Sequence, residues 1–156
     1  VHGAPPPAHD QLPPTLPAGA KVLIGMDANT YQRHSKKRQG VLEFAAAYVP
    51  LGLTSTWGDL PDPTNITTFN ARTYLQPQLN KAVSYEERFT NVNVDRNPKD
   101  FVLFSTSLEL VSTSRDNTAK TSSSSGEPKY DNEKMFPTLK FPSDHAITKV
   151  VLKAKN

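Results

Sequence analysis

The stretch Lys99–Ser105 (KDFVLFS) predicts a short β-strand with an acid near its start. It is rich in β-branched and aromatic residues, and polar residues bound it on both sides, which is the usual pattern of a strand. Two other stretches share this character: Lys21–Met26 (KVLIGM), which runs into Asp27, and Ala146–Lys153 (AITKVVLK), which follows an acid and a histidine. The chain therefore has three predicted strands that each carry an acid at one end.

The segments around these strands predict a mixed fold of the α/β (α+β) class, with more strand than helix. Lys21–Met26 is expected to be a buried strand because its residues are almost all apolar. Leu108–Thr113 alternates between apolar and polar residues and is expected to pair beside Lys99–Ser105. The apolar spacing within Gly40–Tyr48 fits one face of a helix. Residues 1–20 contain six prolines and predict an extended arm or linker, so the folded domain is expected to span 21–156.

Composition limits the classes of protein and of site. The chain has 156 residues, which suits one domain, and no cysteine, which excludes disulfides and thiolate metal sites. No apolar run approaches the roughly 18 residues that a membrane span needs. The formal net charge of +3 permits a polyanionic partner without requiring one. No compartment is indicated.

The acids at the strand ends suit the chemistry of phosphate hydrolysis. Asp27 and Asn29 follow the first strand, Asp100 begins the second, and Asp144 with His145 precedes the last. Mg²⁺ binds hard oxygen ligands such as carboxylates, and an attacking water needs a carboxylate or histidine that orients or deprotonates it. A carboxylate behind one ring nitrogen fixes the tautomer of a histidine. Taken alone, each motif is also compatible with an ordinary turn or surface position.

In this order, Ile24–Asn29, Lys99–Ser105 and Pro142–His145 resemble the motifs of the endonuclease/exonuclease/phosphatase superfamily, which includes deoxyribonuclease I. The three are similar to the family's Gly-Asp-x-Asn strand end, its Asp-Tyr-x-x-x-Ser strand and its Ser-Asp-His terminus. This chain departs from them at two positions, with Met26 between the glycine and the acid, and Phe101 where tyrosine is commoner. The resemblance covers roughly residues 21–153.

The resemblance implies catalytic roles for five residues. Asp27 would orient the attacking water, Asn29 would hydrogen-bond the scissile phosphate, and His145 would contact a phosphate oxygen with Asp100 behind its ring. Asp27 and Asp144 would contribute to a site for Mg²⁺ or Mn²⁺.

The resemblance also implies a substrate cleft. Its boundary would be a Thr-Phe segment, here Thr67-Thr68-Phe69. Of these, Thr68 and Phe69 would bind the substrate together with Asn29 and Arg72. The implied activity is metal-dependent phosphoester hydrolysis of nuclease or phosphodiesterase type. The residues do not choose between a nucleic acid and another phosphodiester as substrate.

The resemblance covers only the C-terminal half of the family's two-layered β-sandwich with flanking helices. The family's first half supplies a metal-binding glutamate, and nothing before Lys21 corresponds to it. The chain is therefore expected to be a fragment that needs a complementary N-terminal half or a partner chain, and to be inactive without it. Two alternatives remain: a non-catalytic subunit of a larger assembly that keeps the fold, and a nucleic-acid-binding module without hydrolysis.

Overall fold

The computed structural model describes residues 16–69, 96–120 and 126–155, and these form a sheet-rich fold with one short α-helix. In chain order the elements are β1 (Leu23–Asp27), α1 (Val41–Tyr48), a 3-10 turn (Val49–Leu51), β2 (Leu53–Ser55), β3 (Thr68–Phe69), β4 (Arg96–Asn97), β5 (Asp100–Ser105), β6 (Leu108–Asp116) and β7 (Ile147–Ala154). The predicted mixed class is confirmed at this coarse level. Most of the proline-rich arm, residues 1–15, lies outside the described residues.

The central sheet has three antiparallel strands in the order β1-β5-β2. The prediction that Leu108–Thr113 pairs beside β5 is wrong, because β1 and β2 already occupy both sides of that strand. β6 instead forms an antiparallel ribbon with β7, in which Leu108 lies opposite Ala154 and Asp116 opposite Ile147. A third pair, β3 with β4, sets Thr68 opposite Asn97.

The first core cluster lies between α1 and one face of the central sheet. Val41, Ala45 and Tyr48 of the helix pack against Phe101 and Leu103 of β5. These helix positions recur at intervals of four and three residues, which places them on one face, as the spacing predicts. A second cluster joins Phe69, Phe136, Phe141 and Ala146, and so fixes the segment that leads into β7.

β1 is an exposed edge strand, which corrects the expectation that it is buried. All five of its residues are exposed, and the exposed fraction is 62 % for Leu23, 41 % for Ile24 and 38 % for Met26. Apolar composition alone predicted burial, but α1 packs over β5 and leaves β1 outside the helix. In the part of the chain that the structure describes, β1 has a neighbouring strand on one side only.

Within the described residues, none of the helices has the length and apolar character needed to cross a membrane.

Candidate functional site

The pairing of β1 with β5 places two carboxylates directly opposite each other. Asp27 ends β1 and lies across from Asp100, which begins β5. The backbone N–H of Ala28 donates to the carbonyl of Lys99 at 2.7 Å, so the adjacent pair Asp27–Asp100 is of the non-hydrogen-bonded kind. Side chains approach each other more closely at such a pair. Register alone therefore puts both acids on one face at one end of the sheet.

His145 lies against both of these carboxylates. Its Nδ1 donates to the Asp100 carboxylate and is 3.0 Å from each oxygen. This bond leaves the other ring nitrogen, Nε2, pointing toward Asp27, whose Oδ2 is 3.9 Å away, too far for a direct hydrogen bond. The exposed fraction of the side chains rises from 19 % for Asp100 through 25 % for His145 to 39 % for Asp27. The group is thus shielded at Asp100 and open to solvent at Asp27. Asp27, Asp100 and His145 are together called the dyad cluster below, after the hydrogen-bonded pair His145–Asp100.

The surroundings of His145 favour its protonated form. The hydrogen bond to Asp100 is the main cause of a raised pKa for the imidazole, and the negative charges of Asp100, Asp144 and Asp27 raise the pKa further. Partial burial acts in the opposite direction, because it disfavours the charged ring. The hydrogen bond and the charges prevail, so the pKa of His145 lies above its ordinary value of 6.5.

This raised pKa predicts a measurable pH dependence. Because the folded state binds the imidazole proton more tightly than the unfolded chain does, the resulting stability is fully present below about pH 6.5, the unfolded value. It is lost as the pH rises through the higher folded value. An NMR titration of the histidine ring protons should give His145 a pKa above 6.5, and Asp100→Asn should lower it. The matched change Asp59→Asn, at an exposed acid elsewhere, should leave it in place. A pKa for His145 that does not respond to Asp100→Asn contradicts the pairing.

Thr67 is fully buried, and it connects Asp100 with the segment that carries His145. Its hydroxyl oxygen accepts the backbone N–H groups of Lys99 at 2.8 Å and of Asp100 at 3.0 Å, which fixes the start of β5. Its carbonyl accepts the N–H of Ala146 at 2.8 Å, next to His145. One buried residue therefore sets the positions of the carboxylate and of the histidine together.

Trp57 gives further support to the start of β5. Its indole Nε1–H donates to the carbonyl of Asp100 at 3.0 Å. The sequence prediction included neither Trp57 nor Thr67 among the site residues. The only available signal was that Thr67 directly precedes Thr68 and Phe69, because a hydrogen bond across 33 residues leaves no local pattern.

Asn29 and Asp144 flank the dyad cluster. Asn29 has a φ of 49°, in the left-handed region that asparagine tolerates better than most residues, and its N–H donates to Asp27 Oδ1 at 2.8 Å. This turn occupies one oxygen of the Asp27 carboxylate and leaves Oδ2 on the side of His145. Asp144 is half-buried and immediately precedes His145, where its charge contributes to the raised pKa.

Besides Asn29, three residues are predicted to line a substrate cleft; two of them are buried, and the third lies outside the described residues. Thr68 is buried, and its hydroxyl donates to the carbonyl of Asn97 at 3.2 Å. Phe69 is buried in the second core cluster, and the guanidinium of Arg96 lies over its ring. Arg72 lies outside the described residues. The structure brings Asp27, Asp100 and His145 together, and it buries the side chains of Thr68 and Phe69 in packing contacts.

The donor chemistry of the site fits a hard cation such as Mg²⁺ or Mn²⁺. Oδ2 of Asp27 faces the open side of the dyad cluster, and Asp144 directly precedes His145 in the chain. One carboxylate oxygen of Asp27, one of Asp100 and a ring nitrogen of His145 lie within 4.8 Å of one another. The carboxylate of Asp100 is hydrogen-bonded to His145, which leaves Asp27 as the open carboxylate of this group, and Asp144 as a ligand stays a prediction. Mg²⁺ retains several water ligands, so it needs few carboxylates.

No protein-family model, no curated protein and no solved structure matches this chain.

Proposed function

We propose that this chain is the C-terminal half of a metal-dependent phosphoester hydrolase of nuclease or phosphodiesterase type. The observation that carries the proposal is the dyad cluster, in which an Asp100-bound His145 faces a second carboxylate, Asp27, at the open end of a sheet. Three residues far apart in sequence meet here, and a histidine between two carboxylates supports acid–base chemistry at this end of the sheet.

Two electrostatic features favour function over a purely structural role. Like charges directly opposite each other on antiparallel strands destabilise the pair, so a register that opposes Asp27 and Asp100 is unfavourable by itself. His145 lies against both carboxylates, and its imidazole offsets this repulsion when it is protonated, the form that the raised pKa favours. Departures from local stability rules, combined with a shifted pKa and partial exposure, are typical of functional sites.

The proposed mechanism assigns a distinct task to each residue. Asp100 holds the ring of His145 in one orientation, so that Nε2–H can donate to a phosphate oxygen and stabilise the negative charge that develops there. Asp27 orients a water molecule for attack on phosphorus from the side opposite the leaving oxygen. Asn29, at the end of the same turn, hydrogen-bonds the phosphate. A bound Mg²⁺ would supply charge neutralisation on the phosphate and on the leaving oxygen.

The exposed edge of β1 supports the second part of the proposal, a complementary N-terminal half. Backbone groups point away from β5 at alternate residues of this strand, namely at Leu23, Gly25 and Asp27. An apolar, open strand edge is a liability that proteins normally cover. We infer that a further strand or helix from the missing half lies against β1 and completes a two-layered sandwich beside the dyad cluster.

The test is hydrolysis of bis(4-nitrophenyl) phosphate by the protein completed with its N-terminal half, with Mg²⁺ added or removed by EDTA. Turnover should require the metal. Asp27→Asn, which keeps the shape of the side chain and removes its charge, should lower turnover at least about tenfold, since an orienting carboxylate contributes about 10²–10⁴-fold when it acts as a base. Asp59→Asn is the matched control and should be neutral. Undiminished turnover in Asp27→Asn, or equal turnover in EDTA, contradicts the proposal.

A non-catalytic subunit is the second candidate, and the same open edge of β1 favours it, because that edge suits docking in an assembly whether or not hydrolysis occurs. The two candidates differ in one result. A completed protein that folds, binds its partner and shows no metal-dependent turnover of any phosphodiester would support the subunit.

A further inference from the structure

A pocket that contains none of the dyad-cluster residues is lined by two arginines. Its volume is about 430 Å³, within the range of roughly 300–1,000 Å³ that is usual for small-ligand sites. The lining side chains are otherwise mostly polar and uncharged, with one carboxylate among them; they are Gln32, Thr64, Ile66, Arg96, Arg115, Asn132 and Glu133. This set is called the arginine pocket below. None of its members was predicted as a site residue from the sequence.

Both guanidinium groups are held in place by aromatic rings. Arg96 lies over Phe69 with 4.7 Å between its guanidinium carbon and the ring centroid. Arg115 lies 4.2 Å from the ring centroid of Tyr130 and 5.6 Å from that of Trp57. Stacking occupies the faces of a guanidinium and leaves its N–H groups in the plane of the fork, where they bind planar or tetrahedral oxyanions in pairs. The pocket therefore presents two oriented forks.

Backbone carbonyls accept hydrogen bonds from only some of the N–H donors of the two guanidinium groups. Arg96 Nη2 donates to the carbonyl of Asn132 at 2.8 Å, and Arg115 Nη1 donates to the carbonyl of Ile66 at 2.8 Å. Each guanidinium carries five N–H donors. Among the described residues, two buried side-chain polar atoms find no hydrogen-bond partner: Arg96 Nε, and Oγ1 of Thr148, which lies directly opposite Arg115 on β7. Because Nε of Arg96 has almost no accessible surface, the donors that a ligand in the pocket can reach are the remaining Nη groups.

The charge of the arginine pocket is only weakly compensated. The one lining carboxylate, Glu133, is 3.6 Å from Arg96 Nη2, and its side chain is 86 % exposed, so solvent screens this ion pair. Arg115 is partly buried, and this burial lowers the pKa of its guanidinium while leaving it charged. A second carboxylate, Asp62, lies outside the lining but near Arg115, and it too is exposed to solvent. Because solvent screens both anions while the two cations are partly desolvated, the pocket keeps a positive potential, which attracts a ligand with negative oxygens.

We propose that the arginine pocket binds a phosphoryl group, with Arg96 and Arg115 as its two ligands and Glu133 as a displaceable competitor. A tetrahedral phosphate offers enough acceptor oxygens for the remaining Nη donors of both guanidinium groups. The group can belong to free phosphate or a monoester, or to the diester backbone of a larger ligand. This inference does not depend on the proposed hydrolysis, because it involves none of the residues of the dyad cluster.

The experiment is an amide NMR titration of the full chain with inorganic phosphate and, separately, with dimethyl phosphate, in metal-free buffer. Wild-type protein should show saturable shifts centred on Thr64, Ile66 and Asn132. Arg96→Gln should weaken binding about 10–100-fold, the loss expected for a charge-assisted pair of hydrogen bonds. Lys149→Gln, an exposed change of equal charge on β7, should have no such effect.

Glu133→Gln provides a variant that should fold normally because its side chain is solvent-exposed. It should tighten phosphate binding several-fold, which a purely structural role for Arg96 does not predict. Saturation by both probes would identify a diester-compatible site, and saturation by inorganic phosphate alone would identify a site for free phosphate or a monoester.

His145→Ala separates this pocket from the dyad cluster. Phosphate binding that persists in this variant belongs to the arginine pocket, whatever the variant does to turnover. The proposal is overturned if neither probe saturates, if Arg96→Gln binds like wild type, if Glu133→Gln binds no more tightly, or if the shifts centre on His145 and vanish in His145→Ala.

Discussion

Replacing His145 with alanine is expected to lower phosphodiester turnover of the completed protein by about 10²–10⁴-fold, the usual contribution of a positioned acid–base group. The physical reason is the loss of the only imidazole in the dyad cluster, whose Nε2 faces the open side next to Asp27. The side chain is 25 % exposed and lies outside both core clusters, so the fold should survive the truncation. Turnover should be measured with bis(4-nitrophenyl) phosphate and Mg²⁺, and folding by circular dichroism.

Two further variants make this measurement specific. His34→Ala removes an exposed histidine in the basic loop before α1 and should leave turnover unchanged. Asp100→Asn keeps a hydrogen-bonding group behind the ring but removes its charge, so it should lower turnover less than His145→Ala and shift the alkaline limb of the pH–rate profile to lower pH. A His145→Ala protein that is folded and turns over substrate like wild type would rule out a catalytic role for this histidine.

Replacing Thr67 with valine is expected to destabilise the protein by about 2–4 kcal/mol. The change keeps the shape and β-branching of the side chain but removes the acceptor of two buried N–H groups, those of Lys99 and Asp100. Each buried donor left without a partner costs about 1–3 kcal/mol. Urea unfolding followed by circular dichroism measures the loss, and an NMR titration of His145 reports whether the start of β5 has moved.

Matched variants distinguish the hydroxyl from general packing. Thr67→Ser retains the acceptor and should recover most of the stability and the raised pKa of His145. Thr113→Val makes the same chemical change at an exposed position of β6 and should alter the free energy of unfolding by no more than about 0.5 kcal/mol. If Thr67→Val were as stable as wild type, the hydroxyl of Thr67 could not be what fixes the start of β5.

Local patterns predicted most of the elements. The β-rich run at Lys99–Ser105 became β5, the helical spacing before Pro50 became α1, and the last apolar run became β7. These succeed because side-chain periodicity and strand propensity act over a few residues. The two failures, the burial of β1 and the partner of β6, both concern which element covers or pairs with another. Such choices are made by the whole fold and not by the segment.

Some residues of the candidate site could be predicted from the sequence, and others could not. Asp27, Asp100 and His145 are visible in the sequence as acids and a histidine at strand ends. Thr67 and Trp57 are not, because a buried threonine and a tryptophan have many ordinary uses, and only their bonds to the start of β5 reveal a positioning role. The arginine pocket is likewise invisible in sequence, since Arg96 and Arg115 lie 19 positions apart without a shared motif.

The amino-acid sequence by itself determined the kinds of element, the absence of cysteine chemistry and the residue types that can act on a phosphate. The tertiary structure decided which of those residues meet. The register of β1 against β5 opposes Asp27 to Asp100, and the backbone bond from Ala146 to Thr67 brings His145 over them. Backbone hydrogen bonds fix both relationships, and their partners lie 71 to 83 positions apart in the chain, beyond the reach of any local pattern.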